Sequence, residues 1–281
     1  GNYWGHNAII RVRAFAESAG LPHLPGRAPF GGHIQSHDFV EAALLRRRGW
    51  RVRMLPPMAG SYEETPPCLM EAARRDRRWC QGNLQHARLI GARGLHWISR
   101  IHMLRGMLAY LAAPMWFATL PLGLFVWSRV GVEAGRDLLT IFLITVGMLV
   151  GPKAMAVLLA LREAREARGF GGRVRLVLSA LGESLAAMLA APVLMLFHSK
   201  AVGQVLLGRD SGWGAQRRDG EALTFAQAWR THRFHVALGV LGAVGTAMFD
   251  LRLFAWTAPI TTGLVLSAAF TWLSTRVDLG H

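Results

Sequence analysis

Charge is scarce in this chain, and acidic charge scarcest. Charged residues fill 17% of its 281 positions and apolar residues 52%, where a soluble domain carries about 25% charged residues. Only 17 residues are acidic against 32 basic ones, a formal net charge of +15. Lysine is nearly missing as well, since Lys153 and Lys200 are the only two. The two cysteines, Cys68 and Cys80, are too few for a disulfide framework or a zinc site and suit a reducing compartment. These shortages exclude a disordered tail, a collagen-like chain and a disulfide-rich secreted domain. The sequence opens at Gly1 in mid-pattern, without Met, signal peptide or charged leader, which reads as the C-terminal part of a longer protein.

What is present must be segregated, because a chain this apolar is also this basic. A membrane protein with basic faces on one side of the bilayer accommodates both. Residues 1–105 read as soluble: they hold 16 basic and 7 acidic residues in short, turn-rich runs such as Leu21 to Gly32. A helix is expected from Phe39 to Arg48 with Gly49 past its end, a short strand from Trp50 to Leu55, and a second helix from Leu69 to Leu89. That order suits the end of an α/β domain, although so few strands build no sheet of their own.

From residue 106 onward the pattern changes. Runs at 107–127, 138–161, 176–197, 234–249 and 253–273 are long and apolar enough to be read as membrane segments. The connection Ser128 to Asp137 pairs Arg129 and Arg136 with Glu133 and Asp137, whereas Arg162 to Arg175 has five basic residues and His198 to Arg233 six. Basic connections favour the cytoplasmic side. The arrangement that obeys this rule has four full spans, a re-entrant or interfacial pair at 176–207 broken near Pro192 and His198, and a cytoplasmic loop at 208–233. Within these runs Lys153 is expected to snorkel, and Glu183 either lines a path or bonds a neighbouring helix. Trp116 and Trp127 read as interfacial belt residues.

Three constellations in the soluble part carry chemistry. The first is the opening Gly1-Asn-Tyr-Trp-Gly-His-Asn7. The second, Gln35-Ser-His-Asp38, immediately precedes a helix, and the third is Arg74-Arg-Asp-Arg-Arg-Trp-Cys-Gln-Gly82. Taken singly, each has a plain structural reading. Asp38 is an N-cap, the arginine run a headgroup-facing surface, and Trp79 an interfacial anchor.

Together, at this spacing, they resemble the processive family 2 glycosyltransferases, the group of the cellulose and hyaluronan synthases. Ser36-His37-Asp38 stands where that group has Thr-Glu-Asp, Gly49-Trp50 follows at the expected distance, and Arg75-Asp-Arg-Arg78-Trp79 stands at Gln-x-x-Arg-Trp. The departures, with the opening motif and Gly208-Arg-Asp-Ser-Gly-Trp-Gly-Ala-Gln-Arg-Arg218, are similar to the glucans biosynthesis glucosyltransferase H family. The resemblance implies an α-helical membrane protein joined to the C-terminal part of a cytoplasmic α/β GT-A glycosyltransferase domain. It implies a hexosyltransferase that adds glucose from UDP-glucose to a growing β-glucan, coupled to export across the inner membrane. Asp38 is then the base, Trp79 with Trp4 and His6 the acceptor site, and Arg75, Arg78 and Gln81 the diphosphate contacts. Trp213, Gln216, Arg217 and Arg218 are a second set of nucleotide contacts on the cytoplasmic loop. His37 is expected to form a hydrogen bond rather than to react.

The chemistry asks for these types of group. Inverting transfer from a nucleotide sugar needs one base for the acceptor hydroxyl proton, and a helix N-terminus is a favourable place for that negative charge. Guanidinium groups give fixed, bidentate contacts to phosphate, and an indole gives a flat face for a sugar ring. The seven aspartates include no Asp-x-Asp. The divalent metal, Mg or Mn, that such enzymes place on the diphosphate is therefore expected from an upstream Asp-x-Asp, and this chain alone is expected to be inactive. The implied partners are UDP-glucose, the glucan, inner-membrane lipids and a periplasmic glucan-processing protein, with no nucleic acid among them. Two alternatives stand beside this reading: a non-processive transferase acting on a lipid-linked acceptor, and a membrane transporter or scaffold. The last has no use for Asp38 and Arg78-Trp79 at synthase spacing.

Overall fold

The computed structural model describes residues 3, 5, 7–55, 62, 64, 66, 68–130, 135–212 and 223–276. Its chain divides into two compact units. The first comprises residues 1–117, 194–233 and 268–281, the second residues 118–193 and 234–267. In order, the helices are α1 (Val12–Ser18), α2 (His37–Arg47), α3 (Leu69–Gln85), α4 (Trp97–Val130), α5 (Gly135–Arg162), α6 (Ala164–Gly169), α7 (Arg173–Leu206), α8 (Phe225–Phe249), α9 (Leu251–Val265) and α10 (Ser267–Ser274). A 3₁₀ turn, His86–Arg88, extends α3.

In the first unit, α2 follows the rules of its termini. Asp38 occupies the first turn and Arg46 and Arg47 the last, both signs matching the helix dipole. Gly49, at φ +87°, ends it: Gly49 N–H donates to Arg46 O and Trp50 N–H to Leu45 O, each at 3.0 Å, a glycine-terminated C-cap. Val40 and Ala43 then face inward onto Leu24, Ile34, Leu89 and Met103. Met103 belongs to α4, so that helix begins ten residues before the apolar run at 107 because its first turns serve this core.

Helix α3 is buried on two faces. Cys80 and Leu84 pack with Tyr110 of α4 and with Ala201, Val202 and Val205 of α7. Burial, with the nearby Asp76 carboxylate, pushes the Cys80 thiol up to about 12. The other face meets the segment that leads into α2. Helix α7 stops at Gly208, φ +78°, where Arg209 N–H donates to Gln204 O at 2.9 Å.

The expected strand at Trp50 to Leu55 is not formed. Among the described residues there is one isolated bridge, Leu24 with Gly32, and no ladder, because an extended segment becomes a strand only when a neighbour pairs with it.

Among the described residues three helices are long and apolar enough to cross a membrane, Trp97–Arg129, Leu139–Arg162 and Arg173–Leu206, with a fourth if the bent pair α9 and α10 is one span. The break expected near Pro192 and His198 is absent, since α7 runs unbroken through both. Conversely, the run at 253–273 is two helices, α9 and α10, bent by 48°. At that bend Ser267 Oγ–H donates to Leu264 O at 2.6 Å, a side chain competing for a helix carbonyl.

Within the second unit Lys153 does not snorkel but forms an ion pair with Glu183, which joins α5 to α7. Trp127 is not a belt residue either. Its ring is buried and its Nε1–H donates to Asp250 Oδ2 at 3.1 Å, while Asp250 caps α9 through Arg252 N–H. Gly263 of α9 lies against α7, where a Cβ would fall 2.3 Å from Leu189 O and 2.8 Å from Pro192 Cγ. A glycine is therefore required at this crossing. Gly263→Ala in the full-length protein should cost about 1–3 kcal/mol and lower its melting temperature in detergent. Gly245→Ala, which meets open space, should leave the melting temperature unchanged or raise it, since alanine is the better helix former.

Candidate functional site

Ser36 is the residue before the first turn of α2, and its side chain makes no capping bond. Asp38 is thus the second helical residue rather than the N-cap. His37 Nδ1 stands 3.2 Å from Asp38 Oδ1 and 2.9 Å from Glu41 Oε1, with Glu41 buried. The opening motif reaches the same carboxylate. Gly5 has φ +89°, and a Cβ there would fall 2.6 Å from Asp38 Oδ1, so only glycine allows the chain to lie there. Tyr3 belongs to this group too: burial, then the charges of Glu41 and Asp38, raises its phenol above the ordinary value. Trp4 and His6 lie outside the described residues.

Helix α3 is held against this segment by close approach and by polar side chains. A Cβ on Gly82 would fall 2.5 Å from both Ser36 N and Ser36 Oγ. Asn83 Nδ2–H donates to Trp79 O at 2.8 Å and lies 3.4 Å from Ser36 Oγ. His86 Nε2–H donates to Ser36 O at 3.0 Å. Gln85 Oε1 accepts from Gln35 N–H at 3.0 Å, and its Nε2–H donates to His33 O at 3.1 Å. Arg75, Trp79, Gly82, Asn83 and His86 recur at helical spacing, so the arginine and the indole lie on the face of α3 that meets Ser36. Trp79 is 45% exposed, and the Arg75 guanidinium sits over its ring, 4.3 Å from the centroid. Arg78 is half-buried.

Gln81, expected among the diphosphate contacts, faces the other way. It is buried; its Nε2–H donates to Asp210 Oδ1 at 2.6 Å and its Oε1 accepts from Ser211 N–H at 2.7 Å. That bond to Gln81, more than any other influence, holds the Asp210 carboxyl below the usual range. Trp213, Gln216, Arg217 and Arg218, which follow this turn, lie outside the described residues.

Among the described residues, His37, Asp38 and Glu41 bring three ligand atoms within 4.8 Å of one another. The group does not fit the diphosphate metal. Nδ1 of His37 is already hydrogen-bonded to Glu41, so the three side chains engage one another.

A family model described as "Glycosyl transferase family group 2" matches residues 2–159, more than half of the chain and all of the elements just described up to α5. The chain belongs to this family. Family 2 glycosyltransferases are generally metal-dependent. The chain is 48% identical over 295 residues to a Rhodopseudomonas palustris protein named Glucans biosynthesis glucosyltransferase H, which it matches over 99% of its own length. Proteins of the same name from Vibrio cholerae and Shewanella baltica are 44% and 43% identical over the whole chain. The chain spans about 41% of the length of these relatives. No solved structure matches it.

Within this family 2 chain, three residues that hold the site together, Asn83, Gln85 and His86, had no role assigned from sequence, and Gln81 was expected at phosphate. Asn83, Gln85 and His86 are polar residues whose partners at residues 33–36 lie tens of positions away. The one local signal is Gln81-Gly-Asn-Leu-Gln-His86, a run of amides and imidazole within a helix.

Burial lowers the His86 pKa below its ordinary 6.5 despite the bond to Ser36, and its Nδ1 is buried without a hydrogen-bond partner among the described residues. Well above pH 6.5 neither folded nor unfolded chain protonates it. As pH falls through 6.5 the unfolded chain takes up a proton that the folded chain refuses, so stability declines by up to about 1.4 kcal/mol per pH unit until folded His86 titrates. His86→Gln keeps a donor for Ser36 and removes the titration. Thermal unfolding in detergent from pH 8 to pH 5 should therefore show a shallower loss in His86→Gln than in the parent; identical slopes would show that His86 plays no part in acid sensitivity.

Proposed function

We propose that this chain is the acceptor-side and membrane part of a glucosyltransferase that moves glucose, with inversion, from UDP-glucose to a growing β-glucan. The observation that carries this reading is the junction of Gly82 with Ser36, which brings the Asp38 helix end and the Trp79 face of α3 together in a family 2 chain. The names of the relatives support glucan as the product.

In this reading Asp38 accepts the proton of the acceptor hydroxyl as that oxygen bonds to the anomeric carbon and the bond to UDP breaks. The backbone of Gly5 lies against the carboxylate, and His37, held by Glu41, borders it. Trp79 carries the terminal sugar on one face of its ring, and Arg75, stacked on the indole, orients the ring by a cation–π contact worth about 0.5–2 kcal/mol. Arg78 takes the departing diphosphate. The divalent metal would neutralise the same leaving group from residues outside this chain. Residues 1–105, with their 16 basic side chains, belong on the cytoplasmic side of a bacterial inner membrane, and the glucan passes to the other side.

Incorporation of radiolabelled UDP-glucose by the full-length protein tests the reading. Polymer supports it, a glycolipid product supports a non-processive transferase, and no transfer supports a transporter or scaffold. On that assay Asp38→Asn should reduce turnover by about 10²- to 10⁴-fold while UDP binding persists; near-normal transfer would remove Asp38 from the role of base. Trp79→Ala should reduce glucan extension more than UDP-glucose hydrolysis. Equal losses would make Trp79 a folding residue.

A further inference from the structure

Gln81 has a burial and a bonding pattern that neither a phosphate contact nor simple packing accounts for. Its relative exposure is 1%. Its amide joins side-chain and backbone atoms 129 and 130 positions away. Around it the Asp210 turn is further tied: Arg77 donates to Asp210 O at 3.3 Å, Gly212 N–H lies 3.3 Å from Asp210 Oδ1, and Ser211 Oγ lies 3.5 Å from Gln35 Oε1. The amide joins the helix of Trp79 to the turn after α7, and Ser211 of that turn reaches Gln35 in the segment that leads to Asp38.

We propose that Gln81 is a positioning residue for glucosyl transfer, fixing the rotation of α3, and hence of Trp79, against the Asp210–Gly212 turn. This rests on the glucosyltransferase reading above. The packing between α3 and α7 is an apolar strip of Cys80 and Leu84 on Ala201, Val202 and Val205. Apolar contact is non-directional, so on the α7 side, away from the Ser36 junction, it sets no rotation of α3 by itself. Polar clamps on either side of that strip resist a roll of the helix about its axis. Asp76 Oδ2 accepts from His198 Nε2–H at 3.0 Å, and five residues on, about 7.5 Å along the helix, Gln81 holds Asp210. Trp79 lies between the two clamps along the helix, on the face away from Gln81, so any roll displaces its ring relative to Asp38. A misplacement of about 1 Å can cost 10²-fold in rate. Gln81 touches neither sugar nor phosphate in this role; it acts through Trp79.

The amide–carboxylate pair is open to a swap. Gln81→Glu sets two carboxylates against each other, and Asp210→Asn replaces the carboxylate with a second amide. Both changes together restore one amide facing one carboxylate, with the carboxylate at position 81 still able to accept from Ser211 N–H. In the full-length protein each single change should lower glucan incorporation about tenfold or more, and the pair should recover to within about twofold of the parent. UDP-glucose hydrolysis without acceptor should fall far less than incorporation, with KM for UDP-glucose unmoved. Hydrogen exchange at the Ser211 amide should accelerate in the single variants and slow again in the pair.

A raised KM for UDP-glucose would overturn the proposal in favour of a diphosphate contact. Parallel losses of incorporation, hydrolysis and melting temperature would reduce Gln81 to a stability residue, and additive losses in the pair would deny the coupling. The exchange readout needs no turnover. If UDP-glucose proves not to be the donor, restored protection in the pair still reports the clamp, so failure of the functional reading is told apart from failure of the clamp.

Discussion

Gly82 against Ser36 is the contact on which the candidate site depends. Where a side chain would have to occupy space 2.5 Å from a backbone nitrogen, helix and loop approach as closely as two backbones can. That proximity lets Asn83, Gln85 and His86 reach main-chain and side-chain groups of residues 33–36. Buried polar groups of this kind are costly when unpaired, so the same bonds that tolerate their burial also dictate one arrangement of α2 and α3. A larger residue at position 82 would separate the helices and strand the amides together.

The consequence for chemistry is a division of labour along a single helix. One face of α3 presents Arg75 and Trp79 beside the Asp38 segment; the other, through Asp76, Cys80, Gln81 and Leu84, is engaged with α4, α7 and the turn at Asp210. Arg74, exposed and paired with Glu71, is left for solvent. Such a helix has little freedom to adapt by rotation, which suits a platform that must hold a ring in one place.

Much of this was legible in the sequence, for reasons that can be named. Apolar runs announced α4, α5 and α7 because length and hydropathy are local properties. Gly49 marked the end of α2 because capping preferences are local as well, whereas Asp38, read as its cap, is the second helical residue. The motif spacing placed Asp38 and Trp79 on adjoining elements. The failures were all non-local. Pro192 suggested a break, but a proline interrupts a helix only if its neighbourhood yields, and there Gly263 lets α9 close over it. Trp50 to Leu55 alternates as strands do, yet no described residue pairs with it. Lys153 and Trp127 looked like residues seeking an interface, whereas Glu183 and Asp250 answer them from helices far along the chain. Gln81 looked available for phosphate because its partner lies 129 positions away.

The buried Cys80 has a practical corollary. The thiolate is the form that reacts with thiol reagents, and burial that raises this thiol to about 12 keeps it protonated at pH 7. Wedged between Leu84 and α7, it is also closed to maleimides and alkylating probes. Cys68, half-buried at the start of α3, is the sole competitor for label in this chain. Replacing that one residue gives a background in which a fluorophore or spin label can be placed at will, with the packing around Cys80 left intact.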